Sequence, residues 1–195
     1  MALQHVDLGK VAATPWKNGG GTTRELACSP RGADMAHLDW RVSVATIAQS
    51  GPFSCFAGVD RIITLLWGDG VHLTQASTGI DHRLQAPLQP FAFAGDAGMD
   101  CELLGGPSTD FNVMTRRATL QAQVHVLDSA CALAPQDRGL LLVVRGAWTL
   151  QGEDGSTQCA AEQGVWWDGE PRAWQLRPAG DAPALLWVNL YKTSL

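Results

Sequence analysis

Two stretches of the chain read alike: DRIITLLWGDGVHL from Asp60 and DRGLLLVVRGAWTL from Asp137. Each is an Asp-Arg dyad, an apolar run of strand character, a glycine turn and a second short strand. Further along, FAFAGDAGMDCELLGG matches VWWDGEPRAWQLRPAG in outline, and Asn112 in FNVM recurs as Asn189 in VNLY at the same offset of 77 residues as the two dyads. That period is far too long for a solenoid turn. It predicts two copies of one β unit, residues 1–118 carrying the WKNGGG and NVMTRR motifs and residues 119–195, with LQAQVHVLDSACALAP near the junction.

Strand signals continue between and beyond the repeats. WRVSVATIA (40–48), RIITLLW (61–67), FNVMT (111–115), LQAQVHVL (120–127), LLLVV (140–144) and LLWVNLY (185–191) are short and rich in β-branched or aromatic residues. Glycine, proline and aspartate punctuate them in WGDG, GGPSTD, QGEDGS and RPAGDAP. No segment keeps a 3.6-residue apolar period over three turns, so the expected fold is all-β, built as sandwiches or barrels. With 46% apolar residues the chain has material for a substantial core.

A formal charge of −5 argues against nucleic acid or an anionic membrane as partner, since both select a basic face. No apolar run approaches membrane-spanning length. The five cysteines are scattered without a C-x-x-C pair, and the opening MALQHVDLGK has no signal-like segment; both features fit a reducing cytoplasm. The apolar strands suit a core or a homodimer seam equally.

One glycine run stands apart, in TPWKNGGGTTRELA from Thr14 to Ala27. A nucleotide loop sets its lysine and hydroxyl after the last glycine and opens a helix, whereas here Lys17 precedes the glycines and Thr22-Thr23 favour a strand. The G-x-G-x-x-G spacing of a dinucleotide site is missing too.

PWKNGGGTTREL, WRVSVATIAQSGPFSCFAGVDRIITLLWGDG, FAFAGD and DFNVMTRR follow in order from Pro15 to Arg117 and resemble the HutD/Ves family, whereas the second half resembles it only as a repeated cupin unit. The resemblance implies a bicupin, two fused cupin-like jelly-roll barrels. It further implies a cytoplasmic small-molecule binding protein found with bacterial histidine-utilisation genes, binding an intermediate such as urocanate or N-formylglutamate and limiting induction of that pathway. The Ves branch lies outside histidine catabolism, so membership leaves the ligand open.

Cupins most often hold a metal through His-x-His, a carboxylate and a third histidine. This chain has His5, His37, His72, His82 and His125, none of them in a His-x-His. The expected pocket therefore works without metal or other cofactor. Arg61 is its leading candidate, because it opens a run that is apolar on both alternating faces, and a guanidinium in such a wall calls for an anion it can grip with two parallel hydrogen bonds. Asp60 or Glu25 could equally be its permanent partner. Ser43 and Arg41 share one face of their strand, and Asn112 and Arg116 one face of theirs, so these are supporting candidates or else a solvent-facing polar column.

In the family reading the Trp16–Gly21 loop lies at the barrel mouth and offers backbone N–H groups to an anion. Lys17 and Asn18 would add contacts, and Arg24 and Glu25 would lie on the strand that follows; a plain hairpin turn is the alternative. No nucleophile–base pair is evident, which favours a binding or regulatory protein for a small carboxylate over a metal-independent isomerase or hydrolase acting on a related acid. The tryptophans Trp148, Trp166, Trp167, Trp174 and Trp187 are expected to fill the second core.

Overall fold

The computed structural model describes residues 3–193, and in them every regular element but one 3₁₀ turn, Leu8–Lys10, is a β-strand. In chain order the strands are Gln4–Asp7 (β1), Thr14–Pro15 (β2), Gly21–Ser29 (β3), Trp40–Ile47 (β4), Gly51–Phe53 (β5), Val59–Trp67 (β6), Val71–Gln75 (β7) and Ile80–Leu84 (β8). There follow Pro90–Ala94 (β9), Met99–Leu103 (β10), Ser108–Arg116 (β11), Leu120–Leu127 (β12), Cys131–Gly152 (β13), Gly155–Ala160 (β14) and Gln163–Lys192 (β15). No helix among the described residues is long and apolar enough to cross a membrane.

The chain divides into two compact units. One comprises Val11–Gln121 with Thr193; its six-stranded antiparallel sheet runs β2-β3-β4-β11-β6-β9 and its four-stranded sheet β5-β10-β7-β8. Ile47, Ile63, Leu65 and Phe93 from the first sheet meet Val71, Leu73, Met99 and Cys101 from the second in one buried cluster. The alternation of strand side chains explains it, since Ile63 and Leu65 share a face with Arg61. Each fully buried aliphatic chain of this kind contributes on the order of 2 kcal/mol.

The other unit comprises the described residues up to Lys10 together with Ala122–Lys192. Its sheet runs β1-β15-β13-β14, with β12 also on β15. The repeat had placed the amino-terminal segment with the first barrel and the boundary at 118; in the structure Gln4–Asp7 pairs with Gln163–Trp166, and the units part within β12. LLLVV and LLWVNLY are not separate short strands, and neither are the WTL and VWWDGEPRAWQLRPAG of the repeat. They are parts of two long, bent strands whose register shifts repeatedly, so that one strand turns corners at bulges. Trp148, Trp167 and Trp174 are buried in the core of this unit as expected, and Trp187 packs against it.

Candidate functional site

Strand register aligns the inward side chains of the six-stranded sheet into rows. Thr23, Ala45, Asp110 and Leu65 lie across from one another in the first row, and Glu25, Ser43, Asn112 and Ile63 in the second. Arg41, Met114, Arg61 and Phe93 form the third. The second and third rows are where polar chemistry concentrates, and they form one wall of a cavity of about 770 Å³. That lies within the roughly 300–1,000 Å³ usual for small-molecule sites. Pro52, Phe53, Ser54 and Phe56, in and after β5, supply a second wall, and Thr14–Asn18 edge it.

Arg61 projects from β6 into this cavity. Phe53, Phe56 and Phe93 surround its guanidinium, with ring centroids 5.1, 5.7 and 5.1 Å from Cζ. These ring faces favour a cation there. Its Nη2 donates to Asn112 Oδ1 at 3.3 Å, while Nε is buried with no partner among the described residues. Burial, and secondarily repulsion from Arg41, pulls its pKa down to about 10, so it stays charged at neutral pH. Neither carboxylate considered from the sequence neutralises it. Asp60 belongs to Arg117, 2.7 Å away, and Glu25 to Arg41 through Nε at 2.7 Å.

The other candidates divide. Ser43 (2% exposed) and Asn112 (7%) line the cavity, and Asn112 spends its Nδ2 on the backbone oxygen of Asp110. Exposed Lys17 and Asn18 stand at its edge, and Glu25 with Arg41 forms an ion pair on its wall, so Arg41 is part of the cavity and not of a solvent-facing column. Arg24 is exposed and does not line the cavity, because it alternates with Thr23 and Glu25, which do. Arg116 is not brought there either: its Nε and Nη2 donate to the carbonyls of Leu38 and Ala36, tying that loop to the end of β11.

The glycine run is a hairpin turn. Trp16 N–H donates to Gly21 O, and the N–H groups of Gly19 and Gly20 are spent on Trp16 O and Asn18 Oδ1, so those two are not offered to an anion. Gly21 is demanded by closeness: a Cβ there would stand 2.2 Å from Thr46 O and 3.1 Å from the Trp16 ring. Trp16 in turn donates from Nε1 to Thr23 Oγ1 at 2.7 Å, which fixes its indole on the cavity edge.

Sequence reasoning passed over Asp110. It is fully buried on the inner face of β11, and neither carboxylate oxygen has a partner. Desolvation raises its pKa to about 7. Its neighbour Cys101, on β10, is pushed up to about 12 by burial and then by Asp110. Among the described residues no group of three or more His, Cys, Asp or Glu side chains is placed to hold a metal ion, and His72 instead bonds Asp81 at 2.6 Å.

The carboxy-terminal unit shows the same ladder without the polar trio. Where Arg61, Ile63 and Leu65 face Met114, Asn112 and Asp110, the later strands pair Gly139, Leu141 and Val143 with Asn189, Trp187 and Leu185. Leu141 and Val143 belong to the core, so Gly139 takes the inward position and Arg138 does not, and the equal spacing of the two Asp-Arg dyads is not kept in space. A Cβ on Gly139 would meet the Trp167 ring at 2.9 Å. Arg138 is instead paired with Asp168 at 3.0 Å.

The HutD family model matches residues 9–186. The chain belongs to the HutD family. Protein Ves of Citrobacter koseri is 39% identical over 180 residues, covering 91% of this chain and 90% of that protein. Among solved structures, HutD from Pseudomonas fluorescens, determined in a formate condition, superposes with a TM-score of 0.82 at 28% identity over 99% of this chain and 100% of its own. A cupin 2 conserved barrel domain protein from Leptotrichia buccalis shares the fold at 8% identity, with a TM-score of 0.59 over 96% of each chain. The architecture of this HutD-family chain is therefore all-β and cupin-like, as expected from its strands and its resemblance.

Proposed function

We propose that this protein is a HutD-like cytoplasmic binding protein for a small carboxylate, with Arg61 as the clamp, Asn112 and Ser43 as wall contacts and Lys17 and Asn18 at the mouth. One observation carries the reading: a guanidinium with a buried, unpartnered Nε and no carboxylate partner faces a cavity large enough for a metabolite. The other arginine of the site's wall, Arg41, is already matched by Glu25. A partly desolvated cation of this kind gains most from an anion that arrives from outside and can accept two hydrogen bonds.

The HutD branch of the family is associated with histidine breakdown, whose intermediates urocanate and N-formylglutamate are carboxylates that also carry an imidazole or a formamide. Either group suits the hydroxyl and amide edges that Ser43 and Asn112 present. On this reading the protein sequesters the intermediate and so regulates the pathway without consuming it.

Calorimetric titration with urocanate, N-formylglutamate and histidine, followed by overnight NMR of each mixture, tests the assignment. Heat with unaltered ligand supports binding, altered ligand makes the protein an enzyme, and no heat from any of the three removes the histidine-pathway reading. Arg61→Ala is expected to weaken binding by about 2–4 kcal/mol, and Arg61→Lys to restore little, because an ammonium lacks the fork.

A further inference from the structure

Asp110 is a charged-type side chain that the binding function above leaves unused, and its position gives it something to do. It sits one row below Asn112 on the same inward face of β11, with Ala45 on one side and Leu65 on the other. Ala45 lines the cavity, and so does Asn112, whose Oδ1 holds Arg61. Cys101 on β10 interacts electrostatically with both Asp110 and Arg61, so its thiol lies within range of the two. The rest of the surroundings are quiet. From β3 comes Thr23, with Glu25 one row on and already bound to Arg41 of β4. Val71, Leu73, Leu84 and Phe93 of β7, β8 and β9 belong, with Leu65 beside Asp110, to the apolar cluster of this unit.

We propose that Asp110 is the proton-carrying member of the site, so that a carboxylate bound at Arg61 is held together with a proton on Asp110. The reasoning is electrostatic and rests on the carboxylate-binding reading. Asp110 lies behind the cavity wall, next to Ala45 and Asn112 which line it, so ionised Asp110 and an incoming anion would be like charges across a short stretch of buried protein, with no group bonded to either Asp110 oxygen to screen it. The neutral acid removes that repulsion, and Arg61, which no carboxylate pairs, is then free to take the anion. Burial already biases Asp110 toward the neutral form, so the coupled proton is taken up in the neutral range. Asp110 thereby ties anion affinity to pH, and that affinity falls on the alkaline side.

The ligand-free protein offers the first test. With ¹³C-labelled aspartate, one carboxyl resonance that disappears in Asp110→Asn should titrate near neutrality, and titration in the ordinary aspartate range overturns the proposal. The second test is calorimetry with urocanate, N-formylglutamate and acetate in two buffers of different ionisation enthalpy at about pH 8. Proton uptake approaching one per ligand is expected, with affinity falling up to about tenfold per pH unit above neutrality. Asp110→Asn should flatten that slope, a result that a purely structural role for Asp110 would not produce. Binding without proton uptake overturns the coupling while the carboxylate site stands; absence of binding by all three overturns both.

Discussion

Asp110 is held where its neutral form is favoured, and the consequence for stability has a definite sign. Its folded pKa, about 7, lies above the ordinary aspartate value, so between those two values the folded chain binds more protons than the unfolded one. Stability is unaffected below about pH 4, falls as the pH rises through neutrality and carries the whole cost above it. Replacing Asp110 by Asn should therefore change little at low pH and stabilise the protein by a few kcal/mol at about pH 8, with about 4 kcal/mol as the ceiling. Urea denaturation at both pH values measures this. Arg61 was legible from the sequence because a cation opens a run that is apolar on both faces. Asp110 was not, because the strand signal begins at Phe111 while β11 begins at Ser108. Reading the strand three residues further back would have put Asp110 on the face of Asn112.

The β2–β3 hairpin shows how a motif can be functional in place and structural in cause. The N–H groups of Gly19 and Gly20 are used within the turn, Gly21 lets β3 and β4 approach while Trp16 packs over the join, and Lys17 and Asn18 are set at the cavity mouth in consequence. Gly21→Ala is expected to destabilise the fold by about 1–3 kcal/mol, because the new methyl runs into the backbone carbonyl of Thr46, which cannot turn away as a side chain could. A shift in urea midpoint with unchanged slope is the readout. Strands with strong β-branched patterns, such as β4, β6 and β12, were legible almost to their ends. The short strands β5, β8 and β10 were not: GPF, IDHRL and MDCEL carry proline or charges, and neighbouring strands, not their own propensity, make them strands. Nor was the register of β13, where bulges move Arg138 off the inward face that its repeat partner Arg61 occupies.

Across the whole molecule the tryptophans are distributed in a way that a ligand can report. Trp148, Trp167 and Trp174 are sealed in the carboxy-terminal core, whereas Trp16 edges the cavity in the other unit. A fluorescence change on adding a carboxylate is therefore expected to vanish in Trp16→Phe, and a change that persists would place the ligand elsewhere. The all-β, cupin-like architecture and the family were legible as a whole, since strand patterns and motifs survive as text. Which copy holds the cavity was decided by the side chains that fill each interior.

The indoles that pack the second core also bear on the stoichiometry expected of the proposed binding. On that proposal, the cavity of about 770 Å³ beside Arg61 predicts uptake of one equivalent along a simple hyperbola. A titration should end at one molecule per polypeptide. On the sequestering role proposed above, the metabolite withheld would scale directly with copy number, and the concentration at which free ligand breaks through would be set by how much protein the cell makes.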